Sequence, residues 1–146
     1  MRIDRDALRY QPREFYWAGL SAVALVVAPF GPWIAAFSGQ GVISGLRGRG
    51  WLVLAAGIVG LLVLAALHAR LPRARWGLVP MAGAGLYGAY LCWDFIDSIH
   101  AAQGPSIPTI GHLIHPGWGV VLGLAGSLSL AAAALWALYR PPADWR

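Results

Sequence analysis

The sequence predicts an all-α membrane protein, a four-transmembrane-helix bundle with a structured outer lid formed by loops 1 and 3. Hydrophobic residues make up 58% of the chain and charged residues only 12%, whereas soluble domains carry about 25% charged residues. Four apolar segments each approach the ~20 residues that cross a hydrocarbon core. We therefore expect residues 1–146 to form a single four-span domain, with spans at about 15–37, 51–67, 76–93 and 117–138.

Tryptophans at the ends of these segments agree with the predicted spans. At 1.5 Å per residue, the pairs that bracket spans one, three and four lie roughly 24–27 Å apart along a helix. This is the spacing of two interfacial aromatic belts, in which indole rings anchor a protein at both membrane surfaces. The predicted interfacial anchors are Trp17, Trp33, Trp51, Trp76, Trp93, Trp118 and Trp136.

The arginines predict the orientation in the membrane. Nine of the eleven fall in the N-terminal tail, the turn at 70–75 and the C-terminal tail, and only Arg47 and Arg49 fall in the first loop. Because basic residues concentrate on the cytoplasmic side, we expect a multi-pass plasma membrane protein with both termini in the cytoplasm. The arginines adjoin apolar segments, so the lipid bilayer is the expected partner and nucleic acid is not.

Small residues recur four apart on the predicted helices. They are Ala84 and Gly88 in span three, and Gly119, Gly123, Ser127 and Ala131 in span four. Such stripes let helix backbones approach closely in lipid. They indicate either a compact four-helix bundle or the interface of a homo-oligomer or a partner membrane protein, and the sequence leaves both open.

The outer segment 94–116 gathers ionisable side chains and contains no arginine. Its candidate metal ligands are Asp94, Asp97, His100, His112 and His115, and imidazole and carboxylate groups both bind zinc. The alternative is an ordinary interfacial loop, because Gly104 and Pro105 interrupt the helical spacing. No cofactor is predicted, and zinc is the one metal considered.

The two outer loops are predicted to pack on each other. The apolar spacing of Ile96 and Ile99 extends span three as a helix to about Ala102. Ile99 and Phe95 should then contact the first loop, where residues 41–46 read as a short strand or hairpin. Burial of this apolar surface would join both loops into one lid.

The composition of the spans limits the function. No predicted span has an acidic or basic residue at its centre, which disfavours a transporter or channel. Histidines lie at opposite ends of the spans, which excludes a haem held between two of them, and no catalytic residues are predicted. The leading prediction is a scaffold or accessory subunit that acts through helix packing and outer loops. A metal-binding protein or enzyme that uses segment 94–116 is the alternative, and a channel or transporter component is the weaker one.

The first half of the chain resembles one group of proteins. Pro32 and Trp33 precede the run Ile43, Ser44, Gly45 and Leu46, and Gly50 and Trp51 follow; the full motif also includes Gly48. It resembles uncharacterised small four-span membrane proteins of high-GC Gram-positive bacteria. The resemblance implies a claudin-like topology with a structured first loop, but the paired loop cysteines of claudins are missing, because Cys92 is the single cysteine.

Overall fold

The chain is described by a computed structural model that covers residues 13–36, 41–69, 74–102 and 114–139. Most of these residues are helical. The four α-helices are α1 (Arg13–Val27), α2 (Gly50–His68), α3 (Leu78–Ala102) and α4 (Trp118–Tyr139). Short 3-10 helices follow α1 and precede α2 and α3, at Ala28–Phe30, Gly45–Arg47 and Ala74–Gly77.

Helix α4 runs antiparallel to both α1 and α3 and approaches them at glycines. On α4, Gly126 lies beside Ser21 of α1, and Gly119 lies beside Ala28 just after α1. A methyl group built on Gly85 of α3 would lie within 3.0 Å of Ala131. The helix backbones are therefore too close at these positions for a larger side chain, which is the packing mode of helices in lipid.

Two of the helices, α2 and α4, are long and apolar enough to cross a membrane. The first helix belongs to a shorter apolar segment, Phe15–Phe30. Helix α3 is long but carries two tyrosines in its middle and two aspartates near its end. Length and composition of the described helices thus fit a membrane protein.

The first span, predicted at about 15–37 with a kink or an early helix stop allowed at Pro29 and Pro32, is helical over only part of that length. Helix α1 ends at Val27, and strand β1 (Pro32–Ala36) begins after one 3-10 turn. Pro29 and Pro32 lack the backbone N–H that a continuing helix requires, and a proline ring clashes with the preceding turn. The apolar residues after Pro32 therefore extend as a strand.

The prediction of an all-α fold is wrong in one region, because a three-stranded sheet caps one end of the bundle. Strand β2 (Gly41–Ser44) and strand β3 (Ile114–Pro116) flank β1 in the order β2-β1-β3, and both pairs are antiparallel. Ile34 pairs with Ile43 of β2 and with Pro116 of β3. The first and third connections therefore form one unit, as the sequence predicts, and we call residues 28–36, 41–49 and 114–117 the lid.

Trp33 is not an interfacial anchor. Its indole is 2% exposed, because β1 turns it into the end of the bundle. The other six predicted anchors are between 53% and 75% exposed, so their side chains are open to the surroundings of the bundle.

Candidate functional site

The lid is centred on the buried indole of Trp33. Its Nε1–H donates a hydrogen bond to the carbonyl oxygen of Ala28 at 3.2 Å. The ring of Phe95, on α3, meets the indole edge to face with the centroids 5.1 Å apart. A buried tryptophan whose N–H is satisfied contributes a large apolar contact area, so Trp33 joins the lid to α3.

Two glycines make room for tryptophans at this end. A methyl group on Gly45 would overlap the indole of Trp33, and one on Gly31 would lie 2.6 Å from the indole of Trp118. Real Cβ contacts are not this short, so any side chain at either position forces a tryptophan to move. Gly45 also donates its backbone N–H to the carbonyl of Gly31 at 3.4 Å, which links the two segments.

Helix α3 continues past Trp93 and ends at Ala102, as predicted. Ile99 is buried at 6% exposure, whereas Ile43 and Leu46 of the first connection are about 40% exposed. Phe95 contacts Trp33 of β1, whereas the sequence predicted that it packs against Val42, Ile43 and Leu46. Val42 has a described backbone in β2, but its side chain lies outside the described part of the chain.

Asp94 is paired with an arginine of the first connection. Its Oδ2 lies 3.4 Å from Nη1 of Arg49, and both side chains are well exposed. The backbone carbonyl of Asp94 accepts a hydrogen bond from Ser98 Oγ at 2.7 Å, within the helix. Exposed ion pairs of this length contribute little stability. This one places a positive and a negative charge side by side where the first connection meets α3.

The remaining candidate metal ligands are spread over this end of the molecule. Asp97 and His100 are exposed on α3, and His115 is exposed on β3. Within the described residues, no three His, Cys, Asp or Glu side chains lie close enough together to hold a metal ion. His112 lies outside the described residues, so a zinc site that includes it stays a prediction.

The predicted packing residues lie mainly between α3 and α4. Gly88 faces Ser127, and Gly123 faces Cys92. Ala84 is only partly buried, and Gly85 makes the close contact at that level instead. Among the described residues, Ser127 Oγ is the buried side-chain polar atom without a hydrogen-bond partner. Close packing at this point therefore carries the desolvation penalty of one buried hydroxyl.

One face of α3 is exposed along most of the helix. We call Gly83, Tyr87, Tyr90, Asp94, Asp97 and Ala101 the α3 face, because their steps of three and four residues place them on one side of the helix. Tyr87 and Tyr90 are 53% and 61% exposed and stack at 6.5 Å. A methyl group on Gly83 would meet no atom within 4 Å.

Two polar residues of the α3 face stand out in the sequence but were not predicted as functional residues. Tyr87 and Tyr90 interrupt an otherwise apolar segment between Trp76 and Trp93. Among the described residues, neither tyrosine hydroxyl has a hydrogen-bond partner. Both hydroxyls are therefore available to a group outside the described part of the chain.

One curated protein is similar to this chain. It is an uncharacterized transporter of Cutibacterium acnes, 32% identical over 137 residues. The similarity covers 80% of this chain but only 26% of that protein, so the chain spans about a quarter of the length of the relative it matches. No protein-family profile and no solved structure matches the chain.

The source of this relative is consistent with the resemblance in the first half of the chain to membrane proteins of high-GC bacteria. The relative comes from a high-GC actinobacterium and is named as an uncharacterized transporter. Together with the two membrane-length helices α2 and α4, it indicates that the chain is a membrane protein of the kind found in such bacteria.

Proposed function

We propose that the chain is a four-span plasma membrane protein that acts as an accessory subunit, with both termini in the cytoplasm. In this proposal the α3 face binds a transmembrane helix of a partner membrane protein, and the lid lies on the outer side. The observation that carries the proposal is the exposure of the α3 face from Gly83 to Ala101, along which Asp94 is half-buried and the other five residues are exposed.

The chemistry of the α3 face supports a protein partner rather than lipid alone. With spans bounded by Trp76 and Trp93, Tyr87 lies about 9 Å along the helix from the level of Trp93. A hydroxyl at that depth has no water to bond with, and a partner helix supplies acceptors. Gly83 has open space above it, so a partner backbone can approach closely, as at other helix interfaces in membranes.

The lid supports the same proposal from outside the bilayer. The α3 face continues beyond Trp93 to Asp94 and Asp97, and Arg49 lies beside Asp94. A partner bound along α3 would therefore meet an apolar and aromatic surface in the membrane and charged groups beyond it. Charged rims of this kind select partners and fix the register of binding.

A transporter component is the second candidate function, and the printed name of the relative favours it. On the four described α-helices, the Asp, Glu and Arg residues are Arg13 and Glu14 in the first turn of α1 and Asp94 and Asp97 in the last third of α3, beyond Trp93. Ion and proton pathways through a membrane use ionisable groups at depth. This chain therefore fits a supporting role in a transport system better than a transport pathway of its own.

Photo-crosslinking at single positions tests the proposal. A benzoyl-phenylalanine placed at Tyr90 should give a discrete adduct with a second membrane protein in growing cells. The same probe at Leu62, a residue of α2 that is 65% exposed, is the matched control and should give none. An adduct with a second copy of the chain would replace the accessory role with a homo-oligomer. The absence of any adduct at Tyr90 would contradict the proposal.

A further inference from the structure

The α3 face ends in two carboxylates, and the structure pairs one of them. Nη1 of Arg49 lies 3.4 Å from Oδ2 of Asp94. Asp97 is exposed three residues further along the helix. Within the described part of the chain, its carboxylate has no ion-pair or hydrogen-bond partner. The α3 face therefore presents a negative charge that Arg49 does not balance.

The connections next to Asp97 hold few groups that can neutralise it. Residues 37–40 and 103–113 contain no arginine or lysine, and His112 is their one titratable side chain. Arg47 is exposed on the turn Gly45–Arg47, which packs on α2 and on the turn Ala28–Phe30. Since Arg49 is paired with Asp94 and Arg47 belongs to a different contact surface, Asp97 is open to a positive charge from another molecule.

Asp97 lies in line with the groups that a bound helix would contact. It follows Tyr90 by seven residues, which is two helical turns or about 10 Å along the axis. It follows Trp93 by about 6 Å, so it lies just beyond the level at which interfacial indoles are expected. A helix bound to the α3 face would exclude water from Asp97, and the attraction between opposite charges grows as water is excluded.

We propose that the partner helix carries an arginine or lysine that pairs with Asp97. This basic residue lies about 10 Å along the axis from the partner residue that contacts Tyr90, on the side of the lid. The pair selects the partner, because a helix with an apolar or acidic residue at this level would leave Asp97 covered without a counter-charge. The inference rests on the proposed function, since it names the chemistry of the helix that the α3 face binds.

Substitutions at Asp97 test the pair in growing cells, with benzoyl-phenylalanine at Tyr90 as the probe. Asp97→Asn keeps the size of the side chain and removes its charge, so it should lower the yield of the partner adduct about fivefold. Asp97→Glu keeps the charge and should retain most of the yield. Arg47→Gln is the matched control, because it removes an exposed charge of the lid outside the α3 face, and it should leave the yield unchanged.

Ionic strength separates the charge of Asp97 from its shape. In isolated membranes, raising the salt from about 0.1 M to about 1 M shortens the Debye length from about 10 Å to about 3 Å. The adduct should then decrease with Asp97 intact and stay constant in Asp97→Asn.

Two kinds of outcome separate this inference from the proposed function. Equal adduct yields with Asp97 and with Asp97→Asn would overturn the pair but leave the α3 face as a binding surface. A partner without arginine or lysine within about two helical turns of the crosslinked residue would do the same. The absence of an adduct at Tyr90, or an adduct with a second copy of the chain, would overturn both.

Discussion

The rings of Trp33 and Phe95 meet edge to face, with their planes at 66° and their centroids 5.1 Å apart. One ring belongs to the first strand of the lid and the other to the extension of α3. Because Trp33 also bonds to Ala28 at the end of the first helical segment, this contact joins three parts of the chain. The lid should therefore unfold together with the bundle rather than before it.

The fit of Gly45 against Trp33 predicts a selective loss of stability. In Gly45→Ala the new methyl group overlaps the buried indole, and overpacking of this kind costs about 1–3 kcal/mol. Gly48→Ala is the matched control, since its nearest neighbour would be 3.9 Å away. Thermal unfolding in detergent should show a lower midpoint for Gly45→Ala alone. Equal midpoints for the two variants would contradict the packing of the lid.

The ion pair between Arg49 and Asp94 should matter little for stability. Its atoms are 3.4 Å apart, and its side chains are 70% and 45% exposed, so solvent screens the attraction and the pair contributes about 0–1 kcal/mol. Arg49→Gln should unfold near the wild-type temperature, whereas Trp33→Ala should lose about 3–5 kcal/mol. Comparable losses in the two variants would contradict this, because they would show that the ion pair stabilises the lid as much as the indole does.

Gly88 and Ser127 predict a compensating pair of substitutions between α3 and α4. A methyl group on Gly88 would lie 2.6 Å from Ser127 Oγ but 3.5 Å from its Cβ. Gly88→Ala alone should therefore destabilise the protein. Ser127→Ala alone should be neutral or stabilising, because the buried hydroxyl has no partner and its removal ends a desolvation penalty.

The double variant Gly88→Ala, Ser127→Ala completes this test. It should recover most of the stability that Gly88→Ala loses, because the close contact with the oxygen is gone. Neighbouring residues in contact show such non-additive effects. Unfolding midpoints of the four proteins measure the coupling, and additive losses would contradict the observed contact.

The sequence predicts the extension of α3 better than strands β1 and β3 of the lid. The three-residue steps of Asp94, Asp97 and His100 and the apolar Ile96 and Ile99 place α3 as far as Ala102, because a helical period is a local signal. The residues after Pro32 are apolar in either conformation, so their strand was missed. Its partners are distant in sequence, and β3 has only three residues.

The α3 face was harder to predict, because it also depends on how distant segments of the chain pack. The Asp and His residues of segment 94–116 stand out by type, yet within the described chain they do not gather. The α3 face consists of residue types that are common in apolar helices, such as Gly83, Tyr87 and Tyr90. These residues can contact another molecule only if they are exposed on the folded bundle. Exposure within a bundle depends on how all helices pack, and a single segment does not encode it.

Cysteine labelling tests the proposed orientation. In a Cys92→Ala background, Gln103→Cys should react with an impermeant thiol reagent in intact cells. Ala143→Cys should react only after the cells are permeabilised. Both positions lie outside the described residues and follow from the excess of arginines near the termini. The reverse pattern would place the lid in the cytoplasm.

Recovery of a partner through the α3 face tests the central claim most directly. The adduct from Tyr90 identifies the partner, and quantitative co-purification in mild detergent then compares Gly83→Trp with Leu62→Trp. Both variants add an indole to an exposed helix surface, and Gly83 has open space for it. We predict that Gly83→Trp lowers recovery of the partner about tenfold, which corresponds to about 1.4 kcal/mol of binding energy, and that Leu62→Trp leaves it unchanged. Equal recovery with both variants would contradict binding through the α3 face.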